Sequence, residues 1–267
     1  MSAPEPQRDP AGSPRTGARI AAEETGPADA ELLVLVHGSM DRRVGFSRVA
    51  RHLGDRFRVL RYDRRGYGES VGVPGPYGIA EHAGDLVELL RGRPAILIGH
   101  SMGGNVVLAA AQRCPDLVRA VGVYETPLSW MPWWPRNSAS RNVAASSDDP
   151  ALLVEQFMKG MIGERRWGLL PPETKAARRA EGPAMVGEMT SISSEAPWSA
   201  ESITVPVLTA RGSLARPHHL EGMERLANML PDAELVTLDG CHHMAHTASA
   251  DQFVEEFILP ACRRARG

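Results

Sequence analysis

Short, wholly aliphatic runs recur along this chain, and between them the apolar residues fall back onto a single helical face. Leu32-Leu33-Val34-Leu35-Val36 turns no polar residue to water, so it predicts a strand buried on both faces. Phe46, Val49, Ala50 and Leu53 follow at i, i+3, i+4 and i+7, the stripe of one helix. Phe57 to Tyr62 predicts the next strand, and Ile79, Ala83, Leu86 and Leu90 the next helical stripe. Ala95-Ile96-Leu97-Ile98 reads as a strand broken at Gly99, Met102 to Gln112 as a helix closed by Cys114-Pro115, and Val118 to Tyr124 as a further strand. This alternation predicts an α/β fold, a parallel sheet with helices on both faces.

Residues 127–199 depart from the alternation. All five tryptophans and five of the eleven methionines lie there, with short helical stretches between Pro-, Ser- and Gly-rich breaks. The segment predicts an inserted helical lid. Alternation resumes with a strand over Val205 to Ala210, a helix bearing Met223, Leu226, Ala227 and Leu230, a last strand over Glu234 to Leu238, and a closing helix marked by Phe253, Val254, Phe257 and Ile258. The expected organisation is a core from 17–126 and 200–267, a lid over 127–199, and a polar, proline-rich and mobile segment over 1–16.

With 43% hydrophobic and 23% charged residues, the 267-residue chain has the proportions of an ordinary globular protein. At this length about 70–75% of the unfolded surface can be buried, so no disulfide or metal staple is needed. The net charge of −2 leaves no footprint for nucleic acid. Only two of the 30 basic residues, Lys159 and Lys175, are lysines, a bias that reflects GC-rich codons better than phosphate recognition. Cys114, Cys241 and Cys262 are odd in number and widely spaced, which fits a reducing compartment. The N-terminus has no apolar signal stretch and no early run is long enough to span a membrane. A cytoplasmic location is expected.

Three stretches carry chemistry. Gly99-His100-Ser101-Met102-Gly103, backed by Gly104, places a serine between a buried strand and a helix as G-x-S-x-G. Small flanking residues let the backbone fold sharply and push the hydroxyl outward, while the helix N-terminus favours developing negative charge. The bland alternative is a glycine-rich turn with a serine cap. His37-Gly38 follows the strand over 32–36; the Ser39 amide would then join the Met102 amide as a two-donor oxyanion hole. Near the C-terminus, His242, His243 and His246 compete as base on a loop between a strand and a helix. His242 and His246 have i, i+4 spacing, but no glutamate stands between them as in H-E-x-x-H, so the metal alternative carries low weight.

These stretches, with Tyr62-Asp63-Arg64-Arg65-Gly66-Tyr67-Gly68-Glu69-Ser70 and Gly240-Cys241-His242-His243, resemble the α/β-hydrolase superfamily in order and spacing from about Gly17 onward. The resemblance implies an eight-stranded, mostly parallel sheet with a lid after the sixth strand. It selects His243 as base and leaves His246 as a pocket-wall or structural residue. Many members place the acid after the following strand as Gly-x-x-Asp, where this chain has Gly212-Ser213-Leu214-Ala215. Ala215 cannot orient an imidazole. Others place it after the sixth strand, and Val118 to Tyr124 is followed by Glu125. Glu125 is then either the acid partner of His243 or a hinge residue at the start of the lid.

The expectation is a serine hydrolase for a small apolar acyl substrate, with Ser101, His243 and Glu125 catalytic and the Ser39 and Met102 amides as oxyanion donors. His37, Gly38, His100, Trp130, Trp133, Trp134 and His246 are expected to wall the pocket, without metal or organic cofactor. A serine nucleophile argues against the dehalogenase and epoxide-hydrolase branches; perhydrolysis and C–C bond cleavage remain open. The competing reading is a ligand sensor with slow or no turnover, motivated by Ala215.

Overall fold

The structure is a computed structural model that describes residues 19–266. The segment expected to be mobile, 1–16, lies outside the described residues. Seven strands form one sheet: β1 (Ala22–Thr25), β2 (Leu32–Val36), β3 (Arg58–Tyr62), β4 (Ala95–His100), β5 (Val118–Tyr124), β6 (Val207–Gly212) and β7 (Ala233–Leu238). Their order is β1-β3-β2-β4-β5-β6-β7, with β1 antiparallel to β3 and every other pair parallel. The eight strands implied by the resemblance are thus corrected to seven among the described residues. Among the described residues only Arg19, Ile20 and Ala21 precede β1.

Strand alternation builds two cores. Leu32, Val34 and Val36 of β2 and Leu97 of β4 face one side, while Leu33, Leu35, Ile96 and Ile98 face the other. The first side is covered by α2 (Ile79–Leu90), α3 (Met102–Arg113) and α9 (Pro217–Met229). The second is covered by α1 (Ser47–Leu53) and the closing helices α10 (Ala245–Ala248), α11 (Ala250–Phe253) and α12 (Leu259–Arg264). Between β5 and β6 the chain leaves the sheet for five helices: α4 (Ala139–Ala145), α5 (Pro150–Ile162), α6 (Glu164–Leu169), α7 (Pro172–Arg179) and α8 (Gly182–Ser194). Asp149 caps α5, its side chain accepting from the Ala151 amide at 2.7 Å. No helix among the described residues is long and apolar enough to cross a membrane.

The sheet order fixes where chemistry can gather. β2 lies between β3 and β4, so its two neighbours follow it in opposite directions. The carboxyl ends of β2 and β4 therefore flank the switch point, the place at which doubly wound sheets bind ligands.

Candidate active site

Ser101 stands alone between the last residue of β4 and the first of α3, at φ 53° and ψ −123°. A non-glycine residue there costs about 1–3 kcal/mol and persists only where its surroundings hold it. The Ser101 amide donates to the Tyr124 carbonyl at 2.8 Å, and the Gly104 amide donates to the Ser101 carbonyl at 2.9 Å. The glycines are required by close approach. A Cβ at Gly103 would run into the Val36 carbonyl, and one at Gly104 into the Thr126 side chain. A Cβ at Gly38 would lie 2.9 Å from the Ser101 Cβ, so the loop after β2 passes directly over the serine.

Register brings the next group alongside. His100 of β4 pairs with Tyr124 of β5, so Ser101 and Glu125 leave adjacent strands at the same level. Glu125 also has positive φ, 47°, and its side chain is fully buried. Its Oε1 accepts from the Gly212 amide at 3.0 Å, and its Oε2 lies 2.7 Å from His243 Nδ1. A carboxylate only accepts, so Nδ1 carries the proton and Nε2 is left as the acceptor. Glu125 is sealed at 0% side-chain exposure while His243 keeps 26%, a buried carboxylate behind an accessible imidazole. His242 is exposed, and its Nδ1 accepts from the Met244 amide at 3.1 Å.

The other expected residues divide into framework and rim. His37 is fully buried, with Nδ1 donating to the Gly38 carbonyl at 2.8 Å and Nε2 accepting from the Arg64 amide at 2.9 Å. Burial, aided by the Arg64 charge, pushes its pKa down to about 3. His100 Nε2 donates to the His243 carbonyl at 2.7 Å, which holds the loop that carries His243. His246 is fully buried and pairs with Asp41 at 3.0 Å, its ring 4.1 Å from that of His100. Ser39 Oγ donates to Glu188 Oε1 at 2.5 Å. The Met102 amide opens α3, where a helix leaves its N–H groups without intrahelical acceptors. Trp134 is buried edge-on against His218 and His219, Trp130 packs at a right angle on Trp198, and Trp133 lies under Arg225.

Residues 33–256 match the sequence profile of the alpha/beta hydrolase family. The chain belongs to that family. Among its relatives is the 2-(acetamidomethylene)succinate hydrolase of Mesorhizobium japonicum, 25% identical over 233 residues, 82% of this chain and 84% of the relative. Among solved structures, a thermophilic esterase from Thermogutta terrifontis superposes with a TM-score of 0.72 at 23% identity, covering 93% of this chain and 94% of the esterase. The enol-lactonase from Burkholderia xenovorans gives 0.71 at 22% identity, covering 93% of this chain and 98% of the lactonase.

Among the described residues of this alpha/beta hydrolase, two groups each offer three candidate metal ligands within 4.8 Å of one another: Asp41, His100 and His246, and Glu125, His219 and His243. Ligands about 2.1 Å from a tetrahedral ion lie only about 3.4 Å apart. The rings of His219 and His243 stack at 24° with centroids 5.0 Å apart, so their lone pairs run side by side instead of converging. Both carboxylates already hold imidazoles.

Two residues of this neighbourhood escape a reading of the sequence. His219 of α9 stacks on His243; burial, then the charges of His243, His218 and Arg216, hold it well below the usual imidazole range. Its only signal was a His-His pair after Pro217, which periodicity does not interpret. Glu188 of α8 accepts from Ser39, from Tyr67 at 2.6 Å and from Arg64 at 2.5 Å, the two charges being fully buried. Here a signal existed: Glu188 interrupts the apolar stripe of Met185, Met189 and Ile192. A buried acid on an insertion helix needs a cation, and the turn after β3 supplies one.

Proposed function

We propose that this chain is a serine hydrolase that cleaves a carboxylic ester or related acyl bond of a small, mainly apolar substrate through an acyl-enzyme on Ser101. The observation that carries the reading is the 2.7 Å Glu125–His243 hydrogen bond, made at the sheet edge where Ser101 is held at φ 53°. The hydrolytic names of the relatives agree with it. Ser101 Oγ attacks the carbonyl carbon as His243 Nε2 takes its proton, and Glu125 stabilises the resulting imidazolium through Nδ1. The Met102 and Ser39 amides receive the oxyanion. His243 then protonates the departing alcohol, and water, deprotonated by the same nitrogen, releases the acid.

On this reading the insertion over 127–199 is the lid. Glu188 ties it to the loop of Ser39, and Trp134 brings it against the histidines beside the base. No cofactor takes part. The three free thiols, two of them buried, suit a cytoplasmic location. The sensor reading was motivated by Ala215; the Glu125–His243 hydrogen bond supports the hydrolase reading over it.

Labelling with a fluorophosphonate followed by peptide mapping tests the proposal. The adduct is expected on Ser101, and Ser101→Ala should lower turnover of 4-nitrophenyl butyrate by about 10⁶. An adduct on another serine, or turnover retained in Ser101→Ala, refutes it.

A further inference from the structure

Helices α4 and α5 face each other across a cavity of about 300 Å³. Asn142 and Val143 line one side; Leu153, Gln156, Phe157 and Gly160 line the other at i, i+3, i+4 and i+7. Val143 and Leu153 are buried, so the cavity reaches into the packed part of the insertion. Asn142, Gln156 and Gly160 are exposed, so the cavity opens to solvent along that side. The three tryptophans at 130, 133 and 134 are absent from its lining.

One charged residue lines the cavity, Arg216. It precedes α9 as the N-cap, and its side chain makes no hydrogen bond or ion pair among the described residues. Arg141, by contrast, donates to the carbonyls of Ser129, Met131 and Trp134, Arg179 pairs with Glu155, and Arg225 with Glu221. Arg216 is exposed, and its backbone is tied to the turn that carries His219. The His219 amide donates to its carbonyl at 2.8 Å, one helical turn away, and the His219 ring stacks on that of His243. On its other side the chain leads back in four residues to Gly212, whose amide holds Glu125.

We propose that this cavity receives the far end of the substrate and that Arg216 binds a carboxylate there. The substrate class is then an ester or related acyl compound with an apolar chain ending in a free carboxylate. This inference rests on the serine-hydrolase reading for the reacting end and narrows the apolar substrate expected from the sequence. A guanidinium fork matches a carboxylate in bidentate fashion. The Asn142 and Gln156 amides can donate to the same group, while Val143, Leu153 and Phe157 accept the hydrocarbon. A single positive charge with no acid in the wall selects a monoanion over a neutral or cationic end.

The test compares two esters of equal chain length, 4-nitrophenyl hexanoate and mono-4-nitrophenyl adipate. The readout is the ratio of kcat/KM for the anionic ester to that for the neutral one. Arg216→Ala should lower this ratio by about 10–100-fold, the worth of one charge-assisted hydrogen-bonded pair, mainly through KM of the anion. Arg216→Lys should lie between the two. A ratio unchanged in Arg216→Ala overturns the proposal. Calorimetric titration of Ser101→Ala with monomethyl adipate separates the two claims, and adding Arg216→Ala should weaken that binding by a similar factor. Arg216-dependent binding without turnover of either ester by the wild type supports the site and refutes the esterase reading. Turnover with no Arg216-dependent binding does the reverse, and neither binding nor turnover refutes both.

Discussion

Lowering the pH from 7 to 5 should destabilise this protein, and the size of the effect can be worked from His37. Its ring is fully buried, donates one hydrogen bond and accepts another. Burial and the Arg64 charge hold its pKa at about 3. In the unfolded chain the same ring titrates near 6.5. Between these values the unfolded state binds a proton that the native state refuses, so stability rises with pH across the window. The contribution is complete above pH 6.5 and is lost as pH falls toward 3. At pH 5 the loss from this ring is about 2 kcal/mol. His82, His100 and His219 are shifted in the same direction, each mainly by burial, and add to it. Asp41 and Glu24 are lowered and also lose stability on acidification, but in the carboxylate range below the window. Urea unfolding followed by tryptophan fluorescence at pH 7.5, 6.5, 5.5 and 5.0 measures the slope. It should approach at least about 1.4 kcal/mol per pH unit below pH 6. His37→Gln should remove about one proton from that slope. A flat profile from pH 7.5 to 5, or a slope unaltered in His37→Gln, refutes the reasoning.

Other perturbations read the site and its supports. Glu125→Gln should keep the shape but favour the wrong imidazole tautomer, lowering kcat on 4-nitrophenyl butyrate by about 10³–10⁴; near-normal turnover would remove Glu125 from the mechanism. His243→Ala should be as damaging, whereas His242→Ala should retain measurable activity, since His242 is exposed and bonds only its own loop. Glu188→Gln leaves the buried Arg64 guanidinium uncompensated and should cost about 3–5 kcal/mol in urea unfolding. Gly104→Ala drives a methyl group into Thr126 and should destabilise by about 1–3 kcal/mol or more, with activity falling as the turn around Ser101 shifts.

The strands and the turn at Ser101 are local in origin, and for that reason the sequence alone determines them. A run such as Leu32–Val36 has only one way to hide both its faces, and the glycines around Ser101 record close approaches to the adjoining turn and neighbouring strand. The helical insertion was legible in the same manner, as the place where alternation stops and tryptophans collect. The pairing of Glu125 with His243 is of another kind. The two residues lie 118 positions apart in sequence. No periodicity distinguishes His243 from His242 or His246, and only the parallel register of β5, β6 and β7 carries the loops of Glu125 and His243 to one edge. His219 and Arg216 were silent for the same reason: α9 has an ordinary amphipathic pattern, and what its first turn faces is set by the loops packed above it. Glu188 lay between the two cases. Its polarity on an apolar helical face marked it as a buried acid in need of a cation, but tertiary packing alone decided that the cation would be Arg64, because an ion pair made across 124 residues is chosen by which surfaces meet and leaves no trace in the local sequence.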